Sequence, residues 1–376
     1  MTTISYLTTV HFDFGAIRLL KSELARIGVK RPLIVTDRGV RAAGLLDPVM
    51  NNLDAGTTVN VFDATPANPT EAAALAALEV YRAHACDGVI GLGGGSSMDL
   101  AKAVALVATH PLPLVQYAVV EGGAPRITAA IAPVIAIPTT AGTGSEVGRA
   151  GVIVFNDGRK LGLASPNLYP RFSICDPELT LGLPKSITAG TGMDAIAHCI
   201  ETYLAPAINP PAEAIALDGL TRAVRHLETA VADGSNREAR WNMMMAAMEG
   251  AMAFQKGLGA VHSLSHPLGA LPGAFHHGTL NAVLLPPVLE FNAGHVGDKM
   301  ATLARVMGLA RGAQVPDAIR ALNQRIGLPA GLRSMGVPRD TFASIAAAAT
   351  KDHCHPTNPR PVSEAEYEQI LMAADH

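Results

Sequence analysis

The segment Gly88-Val-Ile-Gly-Leu-Gly-Gly-Gly-Ser-Ser-Met-Asp99 decides the fold. Residues 88–92 are a short apolar run of the length expected for a buried strand. A glycine cluster follows it, and residues 99–108 then read as a helix. A strand, a glycine loop and a helix in succession form the unit of an open parallel sheet. The flanking sequence repeats the alternation. Arg31-Pro-Leu-Ile-Val-Thr36, Thr58-Val-Asn-Val-Phe62 and Ala132-Pro-Val-Ile-Ala-Ile137 are further strand candidates. Residues 71–85 are rich in Ala and Leu and read as a helix, opened by Pro69-Thr70 with Thr70 as its N-cap.

From Ser186 onward β-branched runs become scarce and long Ala/Met/Leu patterns take over. Residues 212–227, 237–256, 298–309 and 316–326 all suit helices. Leu181-Gly-Leu-Pro184 punctuates the change. The expectation is an α/β domain over 1–182 and an all-α domain over 183–376. No internal repeat appears.

Composition narrows the function. The 376 residues carry 29 Lys+Arg against 32 Asp+Glu, a net charge of −3, which argues against an electrostatic nucleic-acid binder. A hydrophobic fraction of 49% with 16% charged residues supplies a large core. No uncharged apolar run approaches a membrane span, and the N-terminus lacks the basic and apolar pattern of a secretory leader. Cys86, Cys175, Cys199 and Cys354 are far apart, the pattern of reduced thiols in a cytoplasmic protein.

The loop Gly93-Gly94-Gly95-Ser96-Ser97 lets backbone approach a ligand, and the helix start behind it offers N–H groups to a phosphate. It is neither G-x-G-x-x-G, since Ser96 replaces the last glycine, nor a Walker loop. A tightly packed turn is the alternative. A second small-residue loop, from Thr139 to Glu146, follows the next strand candidate. Both lie at carboxyl ends of strands, where such sheets bind ligands. Asp37 also ends a strand, and a carboxylate there accepts from ribose hydroxyls and repels a 2′-phosphate, although Arg38 adjoins it.

Thirteen histidines include a concentrated group at His262, His266, His276 and His277. Asp194 and His198 are four apart, as are His262 and His266, so each pair shares a helix face. Two such pairs on separate helices would converge on one cation. One carboxylate with imidazoles suits Fe(II) or Zn(II).

These residues make the chain resemble the iron-containing (group III) alcohol dehydrogenases over nearly its whole length. The resemblance is carried by Asn68-Pro-Thr70, Gly93 to Asp99, Ile137 to Val147, Gly192 to His198, His262 to Ala270, His277-Gly278 and Asn358-Pro-Arg360. It implies a dehydroquinate synthase-like fold: a dinucleotide-binding α/β domain over 1–182, an all-α metal-binding domain over 183–376, and the active site in the cleft between them. It implies metal ligands at Asp194, His198, His262 and His277, the last chosen over His276 because it directly precedes Gly278. It also implies cofactor contacts at Asp37, Asn68, Gly94, Gly95, Ser96, Asp99, Thr139, Thr140, Lys160 and Leu179, and a place for His266 in the proton path.

The implied reaction is hydride transfer between a small alcohol and NAD (NADP as the alternative), assisted by Fe(II) (Zn(II) as the alternative) acting as a Lewis acid. A homodimer is the expected assembly. After Ser145-Glu-Val147, where many relatives carry Thr, this chain has Gly148-Arg149. Arg149 would hold a substrate carboxylate, as in a short hydroxy acid, unless it faces solvent or pairs with Glu146. Phe254 and Leu258 would instead make an apolar wall for short alcohols. A maleylacetate reductase-like enzyme on the same fold is the alternative reading. A non-catalytic nucleotide binder would lack a ligand, and none is missing.

Overall fold

The computed structural model describes residues 8–54, 56–273 and 275–376. Residues 1–7, on which part of the expectation about a secretory leader rests, lie outside them. The chain divides into two compact units. One comprises Gly144–Gly182 and the described residues up to Thr140, and the other Leu183–His376 with Ala141–Thr143.

The first unit contains strands β1 (Thr9–Phe12), β2 (Pro32–Val35), β3 (Asn60–Phe62), β4 (Gly88–Gly93), β5 (Val134–Pro138), β6 (Ala150–Val154), β7 (Lys160–Ala164) and β8 (Phe172–Cys175). Its helices are α1 (Leu20–Arg26), α2 (Arg38–Ala42), α3 (Leu46–Asn51), α4 (Glu71–Ala83) and α5 (Gly95–Val107). Six strands form one parallel sheet in the order β1-β8-β5-β4-β2-β3. Successive side chains of a strand point to opposite faces. Leu33, Val35, Val89 and Val134 accordingly pack with Leu78, Leu100 and Val104 of α4 and α5. Ile34, Ile90, Leu92, Ile135 and Ile137 pack on the other face with Leu20 and Leu24 of α1. Cover on both faces is why these strands read as continuous apolar runs.

Thr70 caps α4 by accepting from Ala73 N at 3.1 Å. Helix α5 begins at Gly95, four residues earlier than its apolar pattern suggested, because small residues make up its first turn. Gly93 has φ +142°, and a Cβ there would lie 2.7 Å from Ser97 Oγ, so only glycine makes this turn. The sequence reading did not identify strands β1 and β8, Thr9–Phe12 and Phe172–Cys175. Strands β6 and β7 form a separate antiparallel hairpin.

Beneath the second loop lies a buried ionic knot. Lys102 of α5 donates to Ser145 O at 2.7 Å, Ser145 Oγ at 2.8 Å, Gly148 O at 2.9 Å and Ala150 O at 2.6 Å. Ser145 Oγ donates to Asp99 Oδ1 at 2.6 Å, and Val152 N to Asp99 Oδ2 at 2.9 Å. Burial pulls the Lys102 ammonium down to about 8 and pushes the Asp99 carboxyl up.

The second unit is helical: α6 (Lys185–Leu204), α7 (Pro210–Ala232), α8 (Arg237–Ala253), α9 (Ala260–Ala270), α10 (His277–Asn292), α11 (Lys299–Val306), α12 (Val315–Arg325), α13 (Phe342–Ala349) and α14 (Glu364–Ala373). Helix α6 is buried on every side from Thr188 to Leu204, the position of a central core helix. Lys256 closes its C-terminal end, donating to Thr202 O, Tyr203 O and Ala205 O at 3.0, 3.0 and 2.6 Å. No described helix is long and apolar enough to cross a membrane.

Glu249 of α8 faces Asp218 of α7, with Arg222 Nε 3.5 Å away. Burial and the Asp218 charge push Glu249 up to about 8 from an ordinary 4.5. The raised carboxyl favours the folded state at low pH, and that stability is lost as pH rises through about 8. Glu249→Gln is therefore expected to raise the melting temperature at pH 9 by roughly 2 °C, about 1 kcal/mol after discounting for solvent screening, and to do nothing at pH 4. Equal melting temperatures at both pH values would refute it.

Candidate metal centre and active site

Asp194 and His198 stand one turn apart on α6, His262 lies in the first turn of α9, and His277 opens α10. Two glycines bring α6 and α10 together. A Cβ on Gly278 would lie 2.1 Å from Gly190 O, and one on Gly190 2.6 Å from His276 Nδ1. Only backbone fits at this crossing, which explains the glycine directly after His277.

Asp194 Oδ1 lies 3.8 Å from His198 Nε2, 3.7 Å from His262 Nε2 and 3.7 Å from His277 Nε2. A tetrahedral ion with bonds of about 2.1 Å separates its donors by roughly 3.4 Å. Three imidazoles and a carboxylate at this spacing therefore fit Fe(II) or Zn(II). Asp194, His198 and His262 are almost fully buried, whereas the His277 side chain is 24% exposed and leaves the set open on one side. His276 instead caps α10, its Nδ1 accepting from Thr279 N at 3.3 Å.

The surrounding charges support this set. Glu201 accepts from His262 Nδ1, and from Val261 N at 2.8 Å, which turns His262 Nε2 toward Asp194. Although burial opposes its charge, His262 is raised to about 9 by the Glu201 and Asp194 carboxylates. Asp194 is held well below the carboxylate range, its burial outweighed by His198, His277 and His262. Burial lowers His198 to about 4. Asn281 donates from Nδ2 to Asp194 Oδ1 at 2.7 Å and lies 3.2 Å from Nε2 of both His262 and His277. The sequence reading gave no role to Glu201 or Asn281. Their spacing, seven residues after Asp194 and four after His277, puts them on the same helix faces.

The expectation that both four-residue pairs converge on one cation needs correction. His266 turns away from Asp194, and its Nδ1 meets Asp352 Oδ2 at 2.9 Å. Asp352, from a distant segment, draws the ring to its own side. The fourth member of the set is His277, which stacks on His266 at 5.6 Å between ring centroids. Phe254 sits edge-on to His198 at 5.3 Å. Asn358 Oδ1 accepts from Ala260 N at 3.1 Å at the start of α9, and the Arg360 guanidinium lies 3.8 Å over the Phe291 ring. The Asn-Pro-Arg motif thus braces the helix that carries His262.

In the α/β unit the glycine loop ends β4 and opens α5. A Cβ on Gly94 would lie 3.3 Å from Thr140 Oγ1, so the two small-residue loops adjoin. Asp37 caps α2 through Oδ1 (Val40 N, 2.9 Å) and accepts from Ser97 Oγ at 3.3 Å through Oδ2. Lys160 donates to Asn68 Oδ1 at 2.8 Å, and Ser96 Oγ to Ala67 O at 2.5 Å. Thr139 and Leu179 are buried, Leu179 within the core. Both oxygens of Asp99 accept within the unit, from Ser145 Oγ and Val152 N. Arg149 is exposed and no described carboxylate pairs with it. Glu146, its alternative partner, is buried and raised to about 7 by that burial.

Comparison with known proteins accords with this geometry. The family model described as "Iron-containing alcohol dehydrogenase" matches residues 8–177, and "Fe-containing alcohol dehydrogenase family, C-terminal" matches 188–374. The chain is 56% identical to 4-hydroxybutyrate dehydrogenase of Cupriavidus necator, with 99% of each covered. It is similar to a solved 1,3-propanediol oxidoreductase at 36% identity and TM-score 0.92, with 99% of this chain and 100% of the other covered. It is also similar to sulfoacetaldehyde reductase from Bifidobacterium kashiwanohense, solved with NAD+, at 27% identity and TM-score 0.89, with 100% and 98% covered. The chain belongs to the iron-containing alcohol dehydrogenase family, as a metal-dependent enzyme that uses an NAD-type cofactor to interconvert small alcohols and aldehydes.

Proposed function

We propose that this enzyme oxidises a short ω-hydroxy carboxylate of the 4-hydroxybutyrate class to its semialdehyde, with NAD as hydride acceptor. The observation that carries this reading is the 56% identity, along nearly the full length of both chains, to a 4-hydroxybutyrate dehydrogenase. The carbinol carbon gives a hydride to the nicotinamide, the hydroxyl gives up its proton, and semialdehyde and NADH leave. Asp194, His198, His262 and His277 would hold the divalent ion, Fe(II) by the family and Zn(II) as its competitor. When bound, the ion supplies Lewis acidity at the reacting oxygen.

The chain's own residues do the rest. Glu201 fixes the His262 ring, and Phe254 walls the set beside His198. Asp352 holds His266 at Nδ1, leaving Nε2 to take up or return the proton. Backbone at Gly94, Gly95 and Ser96 would meet the pyrophosphate at the start of α5. Asp37, Asn68, Thr140 and Lys160 would contact the rest of the cofactor, with Asp99, Thr139 and Leu179 supporting them from beneath. The expected protein is a cytoplasmic homodimer, consistent with four buried free cysteines.

NAD is expected to exceed NADP in kcat/KM by at least roughly tenfold, because Asp37 at the end of β2 repels a 2′-phosphate. Asp37→Gly should move the preference toward NADP, and a wild type that uses NADP equally well would sink the claim.

Substrate choice tests the main reading. The wild type should prefer 4-hydroxybutyrate to propanol or butanol. Arg149→Ala should raise KM for the acid roughly tenfold while barely changing that for a neutral alcohol. Preference for butanol or propanol would replace this reading with a general short-chain alcohol dehydrogenase.

A further inference from the structure

Beside the metal-ligand set, the helical unit holds a second group of side chains. His266, Asp352, His353 and Cys354 bring one donor atom each within 4.8 Å of one another. The His266 ring stacks on His277 at 5.6 Å and 7°, and on His353 at 5.2 Å and 17°. Three nearly parallel imidazoles thus form a ladder that starts at the opening of the ligand set. The ladder also leads outward, since the His266 side chain is 6% exposed and that of His353 30%.

We propose that His353 receives one oxygen of the hydroxy acid's carboxylate, as the specificity-determining residue of this unit, leaving the Arg149 test above to decide whether a second cation shares that carboxylate. This inference rests on the substrate reading above. A four-carbon hydroxy acid spans roughly 6 Å from hydroxyl to carboxylate, given bonds of about 1.5 Å, and a contact of about 2 Å at the ligand set with a hydrogen bond of about 3 Å at the far end brings its reach near the two stacking steps of 5.6 and 5.2 Å. Held by its hydroxyl at the ligand set and laid along the ladder, it carries its charged end past His266 to the outer ring.

The outer ring suits an anion. Asp352 Oδ2 lies 3.6 Å from His353 Nδ1, on the side of the ring away from Nε2. The Asp352 oxygens are themselves occupied, Oδ2 by His266 at 2.9 Å and Oδ1 by Cys354 N at 2.8 Å. His353 Nε2 makes no hydrogen bond to a described residue, and so an N–H remains for an incoming acceptor. Two other cations of the unit are committed elsewhere. Lys256 is bound to Glu213 and the end of α6, and Arg360 to Glu366 and Phe291.

The test measures KM for 4-hydroxybutyrate and for 1,4-butanediol, a neutral analogue of the same length, in wild type, His353→Ala and His353→Gln. Metal content and melting temperature of each variant are measured alongside. His353→Ala is expected to raise the ratio of the two KM values about tenfold, or 1.4 kcal/mol. His353→Gln, which keeps an N–H donor, should recover part of that loss. An unchanged ratio in both variants of an acid-preferring enzyme overturns the inference and leaves the substrate reading standing. So does an equal rise for both substrates, which marks a structural role. If His353→Ala loses metal or folds poorly, His353→Gln alone decides, again by the ratio. A wild type with no preference for the acid removes the substrate reading and this inference with it.

Discussion

His277→Ala is expected to strip the metal from the purified protein and to lower kcat/KM more than about a thousandfold, roughly 4 kcal/mol. His277 Nε2 stands 3.7 Å from Asp194 Oδ1 and is the donor that α10 contributes. Losing it leaves three donors on α6 and α9. Even residues that merely orient metal ligands cost tenfold to a hundredfold in affinity when replaced, so a ligand should cost more. The neighbouring histidine is the control. His276 caps α10 through Thr279, so His276→Ala should lose about 1 kcal/mol of stability and keep its metal. Elemental analysis of both variants decides between them. Full occupancy in His277→Ala, with loss in His276→Ala, would assign the ligand to the other imidazole. The same analysis on wild type separates Fe(II) from Zn(II).

The second large effect is structural. Lys102→Met should destabilise the α/β unit by about 3–5 kcal/mol, the range for breaking a buried ion pair by removing one partner. Ser145 O, Gly148 O and Ala150 O would each lose a charged donor, and Asp99 would remain buried without its cation. The melting temperature should fall by roughly 6–12 °C. Amide exchange over residues 144–152 should accelerate first, because that stretch hangs on the Lys102 ammonium. A melting temperature within 2 °C of wild type would show that the knot contributes little. Arg149 lies in this stretch, so the variant should also weaken any selectivity that Arg149 confers.

Much of the architecture was legible in the chain itself. Apolar runs such as residues 88–92 and 132–137 announced strands covered on both faces, because a parallel sheet leaves no face for polar side chains. Thr70 was identifiable as an N-cap because a hydroxyl before an Ala/Leu run has a local partner, Ala73 N. The hairpin of β6 and β7 was missed: Gly151 and Gly162 interrupt its five-residue strands, although β6 carries Val152, Ile153 and Val154. The residue types of the metal set were visible as well, because helical spacing places Asp194 and His198 on one face.

Local periodicity says nothing about where helices meet, and there only the tertiary structure decided. His262 and His266 have the same spacing as Asp194 and His198, yet one ring joins the ligand set and the other pairs with Asp352 from a distant segment. The choice of His277 over His276 follows from the close crossing of α10 on α6 at Gly190 and Gly278. The family resemblance named Asp99 as a cofactor contact, and only the fold shows that its oxygens accept from Ser145 and Val152. In each case the deciding partner lies tens of residues away in sequence. The chain's local pattern sets which side chains share a face, and packing alone sets what that face meets.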